Sequence, residues 1–409
     1  MNAEIIVIGN EVLSGYIVDT NSSFLSSELL KLGIEVTRKI VIPDRKDEIL
    51  KSLQEGMRRT DITILTGGLG PTHDDITKKS VSSFLKRRLV LNENILLKVK
   101  DHFRKKGVDM PQVNTSQALI PQGATVLNNP VGTAPGLLFE EEDGIIILLP
   151  GVPAEMKAIF NKSVRPYLEK KNRGNFILSQ TIHTTGISES ALFERLKDIE
   201  TAETIAFLPF FTGVDIRVTT EAATLEDARD KLLKITDSLI DRIDDFYYGS
   251  NDETLERIIG ILLSMRRKTL SVAESCTAGL FMKRITDVPG SSNYFRGGVV
   301  SYSNDSKIKL LNVKAKDIKQ KGSVSSEVAE AMANGVKKLL DSDYGVSITG
   351  IAGPTGETEN KPIGLVYIAI ADREKTYSKV YHFTGTREII REQSVQAALD
   401  LLRRRLLGI

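Results

Sequence analysis

Over residues 4–167, short β-branched runs alternate with longer amphipathic stretches: apolar strands at 5–8, 34–41 and 62–65, with helical patterns at 21–32 and 46–59 between them. That βαβαβ order predicts a parallel sheet covered by helices on both faces, with ligands beyond the C-terminal ends of its strands. Glycine loops follow Ile8 and Leu65, at those ends. A second segment, 175–249, reads as strand 177–184, helix 189–198, strands 205–208 and 214–220, and helix 225–244. Polar, turn-rich stretches bound it, at Lys170-Lys171-Asn172-Arg173-Gly174 and Gly249-Ser250-Asn251-Asp252. A third segment, 252–409, opens with helix 255–267 and strand 270–273, continues with strands at 298–302, 345–349, 363–370 and 378–383, and closes on a long helix at 387–407. The prediction is therefore an α/β chain of three domains, 1–170, 175–249 and 252–409.

The 409 residues suffice for three separate cores. Lys plus Arg number 55 and Asp plus Glu 53, a net +2, so charge advertises neither nucleic acid nor an anionic membrane, and small partners are expected. The middle segment's order is compatible with a KH-like module, but no Gly-x-x-Gly clamp stands between helices to grip a nucleic-acid backbone. A spacer or dimerisation role is the expectation there. One cysteine excludes an intrachain disulfide, and four scattered histidines make no Cys/His zinc cluster. No basic region precedes the first apolar run and no stretch nears the roughly 20 residues of a spanning helix, so a cytoplasmic protein without a membrane is expected.

Two constellations carry chemistry. The first is Thr66-Gly67-Gly68-Leu69-Gly70-Pro71-Thr72-His73-Asp74-Asp75-Ile76-Thr77, which follows a strand and opens a helix. Its glycines let backbone N–H groups approach a phosphate closely. Asp74 and Asp75 either cap the helix or hold a divalent cation against phosphate oxygens, and the residues alone leave both open. Other loops converge on the same edge: Gly9-Asn10-Glu11, Asp44, and Pro150-Gly151-Val152-Pro153. Hard oxygen ligands beside a phosphate cradle suit Mg²⁺-type phosphoryl chemistry.

The second constellation is Ser275, between a strand and a helix expected near Thr277. It reads either as an N-cap serine or as a nucleophile. The segment's one histidine, His382, has no evident carboxylate partner, so a Ser-His-Asp triad is a poor fit. Lysine is the other available base: Tyr302-Ser303-Asn304-Asp305-Ser306-Lys307 ends a strand and begins a helix, so Tyr302 and Lys307 can both reach Ser275. A lysine pKa of about 10.4 must fall for that role, the tyrosine could relay the proton or orient the lysine, and the N–H groups of Cys276 and Thr277 would receive an oxyanion. Against these stand plainer readings, a solvated lysine and, for Cys276, a small buried hydrophobe rather than a thiolate nucleophile.

The motifs resemble those of a known family. Residues 66–77 with Pro150-Gly151-Val152-Pro153-Ala154-Glu155-Met156 are similar to the molybdopterin-binding (MoCF-biosynthesis) fold in its CinA branch. Ala273-Glu274-Ser275-Cys276-Thr277-Ala278-Gly279, Pro289-Gly290-Ser291-Ser292, Tyr302-Ser303-Asn304, Gly322-Ser323-Val324-Ser325 and Ser347-Ile348-Thr349-Gly350-Ile351-Ala352-Gly353-Pro354 resemble the CinA C-terminal domain. The resemblance implies two hydrolases. One deamidates nicotinamide mononucleotide (NMN) through Ser275, Tyr302 and Lys307, with Thr349 and Arg387 in the substrate site and Cys276, Thr277, Gly290, Ser291, Ser292, Gly350 and Gly353 beside them. The other splits ADP-ribose to AMP and ribose 5-phosphate. It would use Gly9, Asn10, Glu11, Thr66, Gly67, Gly68, Gly70, Pro150 and Gly151 around the phosphates, and a divalent metal (Mg²⁺, or a similar ion such as Co²⁺) on Asp44, Asp74 and Asp75. Asn10 and Val12 depart from the family's usual Gly-Asp-Glu-Leu-Leu first loop, which removes one charge there. A homodimer is the family expectation. The alternatives are a non-enzymatic pterin-nucleotide binder and an interaction protein of DNA uptake or repair.

Overall fold

A computed structural model describes residues 1–171, 176–199 and 204–409. They form two compact units, 1–178 with 220–230 and 179–219 with 231–409. The turn expected from Asn172 to Gly174, and residue 175 where the middle segment is expected to begin, lie outside the described residues.

In the first unit the predicted βαβαβ order holds: β1 (Asn2–Ile8), β2 (Glu35–Ile42) and β3 (Ile62–Thr66) are joined by helices Asn21–Lys31 and Lys46–Arg59. A side ribbon of β4 (Leu89–Leu91) and β5 (Leu119–Pro121) follows, then β6 (Thr125–Leu127), β7 (Gly136–Glu141) and β8 (Gly144–Leu149). The main sheet runs β2-β1-β3-β8-β7-β6. Its first four strands are parallel, and β7 and β6 extend it with antiparallel pairing, so the sheet is mixed rather than wholly parallel. Alternation along each strand sends Ile5, Val7, Ile64 and Ile147 to the face covered by helix Asn21–Lys31, and Ile6, Ile8, Leu65 and Ile146 to the face of helix Lys46–Arg59. Both faces are thus dry, which leaves the strand ends as the edge open to a ligand.

In the second unit, β9 (Phe176–Thr184), helix Glu189–Leu196, β10 (Thr204–Phe210), β11 (Gly213–Ala222) and β12 (Tyr247–Ser250) give a sheet ordered β10-β11-β9-β12. β9 and β11 each run a few residues into the first unit's ranges. The stretch expected to be a turn at 249–252 is instead partly strand, because Gly249 and Ser250 pair with His183 and Ile182 of β9. Buried Arg403 anchors this module: it pairs with Asp400 at 2.7 Å and donates to the carbonyls of Tyr247 and Asp245.

The five-stranded sheet β14-β13-β15-β16-β17 comprises β13 (Leu270–Glu274), β14 (Phe295–Val300), β15 (Tyr344–Gly350), β16 (Leu365–Ala371) and β17 (Thr376–His382). β14, β13 and β15 are parallel; β16 pairs antiparallel with β15, and β17 antiparallel with β16. Helices Leu255–Met265 and Arg387–Leu407 cover one face through Ile259, Leu263, Val395 and Leu402, while helix Ser326–Leu339 covers the other through Val328, Met332 and Val336. Among the described residues no helix is long and apolar enough to cross a membrane.

Candidate functional site

Ser275 stands at the C-terminal end of β13, where its backbone N–H donates to the Ile348 carbonyl and extends the pairing with β15 by one residue. The hydroxyl does not cap a helix. The next helix begins only at Leu280, after a turn with Ala278 and Gly279 in the left-handed region, and its N-cap residue makes no side-chain hydrogen bond. Fully buried Glu274 caps it instead, with a carboxylate that accepts the N–H groups of Gly279, Phe281 and Met282 at 3.0, 3.2 and 2.9 Å. This leaves Ser275 Oγ free for Lys307, whose Nζ lies 2.9 Å away.

Lys307 is 1% exposed. It sits in the first turns of helix Asn304–Leu311, a helix capped by Ser303 Oγ, and its Nζ also donates to the carbonyls of Ser301 (2.8 Å) and Tyr302 (3.3 Å). Among the described residues it has no ion-pair partner. Burial therefore holds its pKa below the usual lysine value. Two carbonyls satisfy two N–H groups of a neutral amine, which leaves its lone pair for the Ser275 hydroxyl. Cys276 is buried and its thiol is pushed up to about 12 by that burial, so it supplies wall rather than thiolate.

A cavity of about 390 Å³ opens onto the pair and is lined by Ser275, Cys276, Tyr302, Lys307, Thr349, Gly350, Gly353 and Arg387 among the predicted residues. Five predicted residues differ. The Tyr302 side chain is 60% exposed and its hydroxyl accepts from Arg387 at 3.1 Å, so the phenol belongs to the rim while its backbone carbonyl serves Lys307. Thr277 is fully buried off the cavity, its carbonyl accepting from Arg391. Gly290, Ser291 and Ser292 lie at the other end of the sheet: they precede β14, whose Phe295 pairs with Leu270 at the start of β13, whereas Ser275 follows that strand's end. Ser323 and Val324, from the Gly-Ser-Val-Ser motif but not assigned to the site from sequence, and Thr355, Thr358 and Lys361, which sequence reasoning missed, add to the lining from two loops. The seventeen described lining residues include three cations, Lys307, Lys361 and Arg387, and no carboxylate.

The first unit's cavity, about 970 Å³, has the opposite charge. Asn10, Glu11, Asp44, Thr66, Gly67, Gly68, Gly70, Asp74, Asp75, Pro150 and Gly151 all line it, as predicted, but Gly9 does not: its N–H is spent on the Ile42 carbonyl. Thr66 donates to the Pro150 carbonyl, and Asn21 bonds Thr66 and the Gly151 carbonyl, which pins the Pro-Gly-Val-Pro loop to the end of β3. Gly67, at φ +114°, has no room for a side chain, since a Cβ would stand 2.1 Å from the Ile8 carbonyl oxygen. Neither aspartate caps helix Thr77–Phe84. Asp75 closes the preceding turn by accepting from Thr72 N and Oγ1 at 2.8 and 2.5 Å, and exposed Asp74 lies 2.9 Å from His73. Asp44 accepts the Asn10 N–H, and burial together with Glu11 and Asp74 raises its pKa. Asp19 and Glu155, not assigned from sequence, bring the described lining to six carboxylates, with no lysine, arginine or histidine. Among the described residues no three acidic, His or Cys side chains converge as a preformed metal cage, so Asp44, Asp74 and Asp75 share a cavity without forming a ligand set by themselves.

Fold and geometry define an α/β protein with two unlike ligand cavities at strand ends. The models that match are the probable molybdopterin binding domain over residues 4–170, the damage-inducible protein CinA KH domain over 179–249 and the CinA C-terminal domain over 252–406. A putative competence-damage inducible protein of Halothermothrix orenii is 44% identical over 99% of this chain and 98% of its own, and a CinA-like protein of Dictyoglomus thermophilum is 41% identical over the full length of both. A solved structure, the protein CinA with unknown function from Thermoplasma acidophilum, is 36% identical over 40% of this chain and 96% of its own, with a TM-score of 0.38. The chain belongs to the CinA family.

Glu274 makes a testable link between fold and site. Glu274→Gln keeps the shape but turns an amide N–H₂ toward backbone donors, and is expected to cost about 2 kcal/mol, read as a lower urea midpoint of the full chain. An unchanged midpoint would show that the three N–H groups do not depend on the carboxylate.

Proposed function

We propose that the C-terminal site deamidates NMN to nicotinate mononucleotide and ammonia. The observation that carries this reading is a buried Lys307 in hydrogen-bond contact with Ser275, with no carboxylate neighbour among the described residues, in a cavity whose described lining holds basic side chains and no acids. In the neutral state Lys307 Nζ accepts the Ser275 proton as Oγ bonds to the carboxamide carbon. The C–N bond then breaks, and the proton on Lys307 goes to the leaving nitrogen as ammonia. Water next attacks the acyl-serine as Lys307 takes its proton; the acyl–Oγ bond then breaks, Lys307 returns that proton to Ser275 Oγ, and the acid product leaves as the carboxylate with its proton lost to solvent. The backbone N–H of Cys276, directly after the nucleophile, is the candidate donor for the oxyanion. Arg387, held by the Gly353 carbonyl (2.6 Å) and the Tyr302 hydroxyl, offers its remaining N–H groups to the 5′-phosphate.

For the N-terminal site we propose hydrolysis of ADP-ribose to AMP and ribose 5-phosphate. A pyrophosphate dianion entering a cavity whose described lining has six carboxylates and no cationic side chain is repelled unless a cation stands between them. The donor chemistry therefore fits a divalent metal that Asp44, Asp74 and Asp75 would hold only together with the substrate's phosphate oxygens, and such an ion would supply charge neutralisation and an activated water. The chain's own part is to approach the phosphates with backbone at Gly68 and Gly70 and to hold the loop at Gly151 in place through Asn21.

Ammonia release from NMN in EDTA tests the first reading. Wild type releases it, Ser275→Ala does not, and Lys307→Met loses about 10²-fold or more. The rate rises with pH while Lys307 is mostly protonated and levels off below the ordinary lysine value of 10.5, because burial lowers this pKa. The linked stability has the matching sign: holding a protonated Lys307 costs the fold more as pH falls from 10.5 through the lowered value, and nothing above 10.5. No release by folded wild type, or full activity of Ser275→Ala, overturns the serine mechanism. AMP release from ADP-ribose is expected to stop in EDTA and return with Mg²⁺ or Co²⁺; hydrolysis that persists in EDTA removes the metal assignment.

A further inference from the structure

Lys361 is the cation of the C-terminal cavity that neither the family motifs nor the Ser275–Lys307 chemistry uses. It lies on loop 351–364, where its backbone pairs with Thr358 through two hydrogen bonds of 3.0 Å. Its Nζ donates to two carbonyls of the neighbouring loop, Lys321 O and Val324 O, the latter at 2.7 Å. Gly322 makes room for it, since a Cβ there would stand 2.6 Å from Nζ. An ammonium has three N–H donors, so one is left over. Glu327, whose charge Lys361 feels, is exposed and paired with Lys321 at 3.5 Å. Among the described residues no carboxylate lies within 4 Å of Lys361, and none lines the cavity. A lysine side chain fixed by neutral carbonyls, beside a cavity whose described lining has no acid, has no counter-ion of its own there and is open to an anionic ligand.

We infer that Lys361 is an anion-positioning residue that, with Arg387, seats the phosphate of the substrate and so makes the site prefer a nucleotide over its nucleoside. The choice of substrate rests on the NMN reading; the anion seat does not. Arg387 comes from the first turn of helix Arg387–Leu407 and Lys361 from the loop between β15 and β16, so two separate elements bring charge to one anion. The hydroxyls of Thr355 and Thr358, on the same loop, are further donors at the lining. Neither cation touches the Ser275–Lys307 pair, so each acts by holding the substrate rather than in the bond-making step.

Two measurements test this. In the first, the ratio of kcat/KM for NMN to that for nicotinamide riboside is expected to fall at least tenfold in Lys361→Met and to be largely restored in Lys361→Arg. A Lys361 that only ties two loops together would lower both substrates alike, and an unchanged ratio overturns the inference. The second needs no turnover. Calorimetric titration with ribose 5-phosphate, in EDTA so that no metal recruits the anion to the acidic N-terminal cavity, is expected to give at least tenfold weaker binding to Lys361→Met than to wild type. Equal affinities, or no binding to wild type, overturn the anion seat. Wild type that binds ribose 5-phosphate in this way yet releases no ammonia from NMN sinks the deamidase reading and leaves the seat standing.

Discussion

The C-terminal domain is organised around a lysine side chain placed where a charge is unwelcome. Lys307 is buried, bonded to one hydroxyl and two carbonyls, and unopposed by any acid among the described residues. An adjacent carboxylate would relieve the cost of burial and, in doing so, raise the pKa and remove the base. The sequence does place a carboxylate one residue from the nucleophile. Strand alternation sends it the other way: Glu274 and Ser275 leave β13 on opposite sides, and Glu274 spends its charge on three N–H groups of a seven-residue helix whose N-cap residue supplies none of its own. The short helix capped from outside by Glu274 and the lysine left without a carboxylate are thus two sides of one arrangement.

The same edge geometry serves the first unit with inverted electrostatics. Asn10, Asp44, Gly67 and Pro150 follow the ends of β1, β2, β3 and β8, four adjacent parallel strands, so their loops meet at one edge. Among the described residues, six carboxylates and no cation line that cavity; three cations and no carboxylate line the other. The two cavities therefore favour ligands of opposite charge. A free phosphate suits the basic cavity and is repelled by the acidic one until a cation intervenes.

What was legible in the sequence follows what local pattern can encode. Ser275 and Lys307 each sit where a strand ends, so their meeting could be read from two short motifs and the rule that adjacent parallel strands end together. Tyr302 shows the limit. Its position could be read, but not that the backbone would serve Lys307 while the side chain turned to Arg387. Gly290–Ser292 failed for a topological reason, since a parallel strand that ends at the site must begin at the far side of the sheet. The helix expected at Thr277 begins three residues later, because Ala278 and Gly279 take left-handed backbone that no apolar period announces. In the first unit three of the four parallel strands were readable from short β-branched runs, whereas β8 and the antiparallel strands β7 and β6 depend on a hairpin at 141–144 that the βαβ pattern did not foreshadow.

Lys361 was not legible for a related reason, and the sheet explains why it is where it is. β15 ends at the site edge, and β16 is antiparallel to it, so β16 must begin at that same edge. The chain from Ile351 to Gly364 therefore cannot cross the sheet on a helix, as it would between parallel strands, and stays beside the strand ends. A loop confined there lines the cavity from the side, with contributions from Thr355, Thr358 and Lys361. The reversal of strand direction between β15 and β16 thus determines which loop meets the ligand. It also separates two parts of the site: Ser275 and Lys307 follow the ends of parallel strands β13 and β14, whereas Lys361 comes from the antiparallel return, away from that pair.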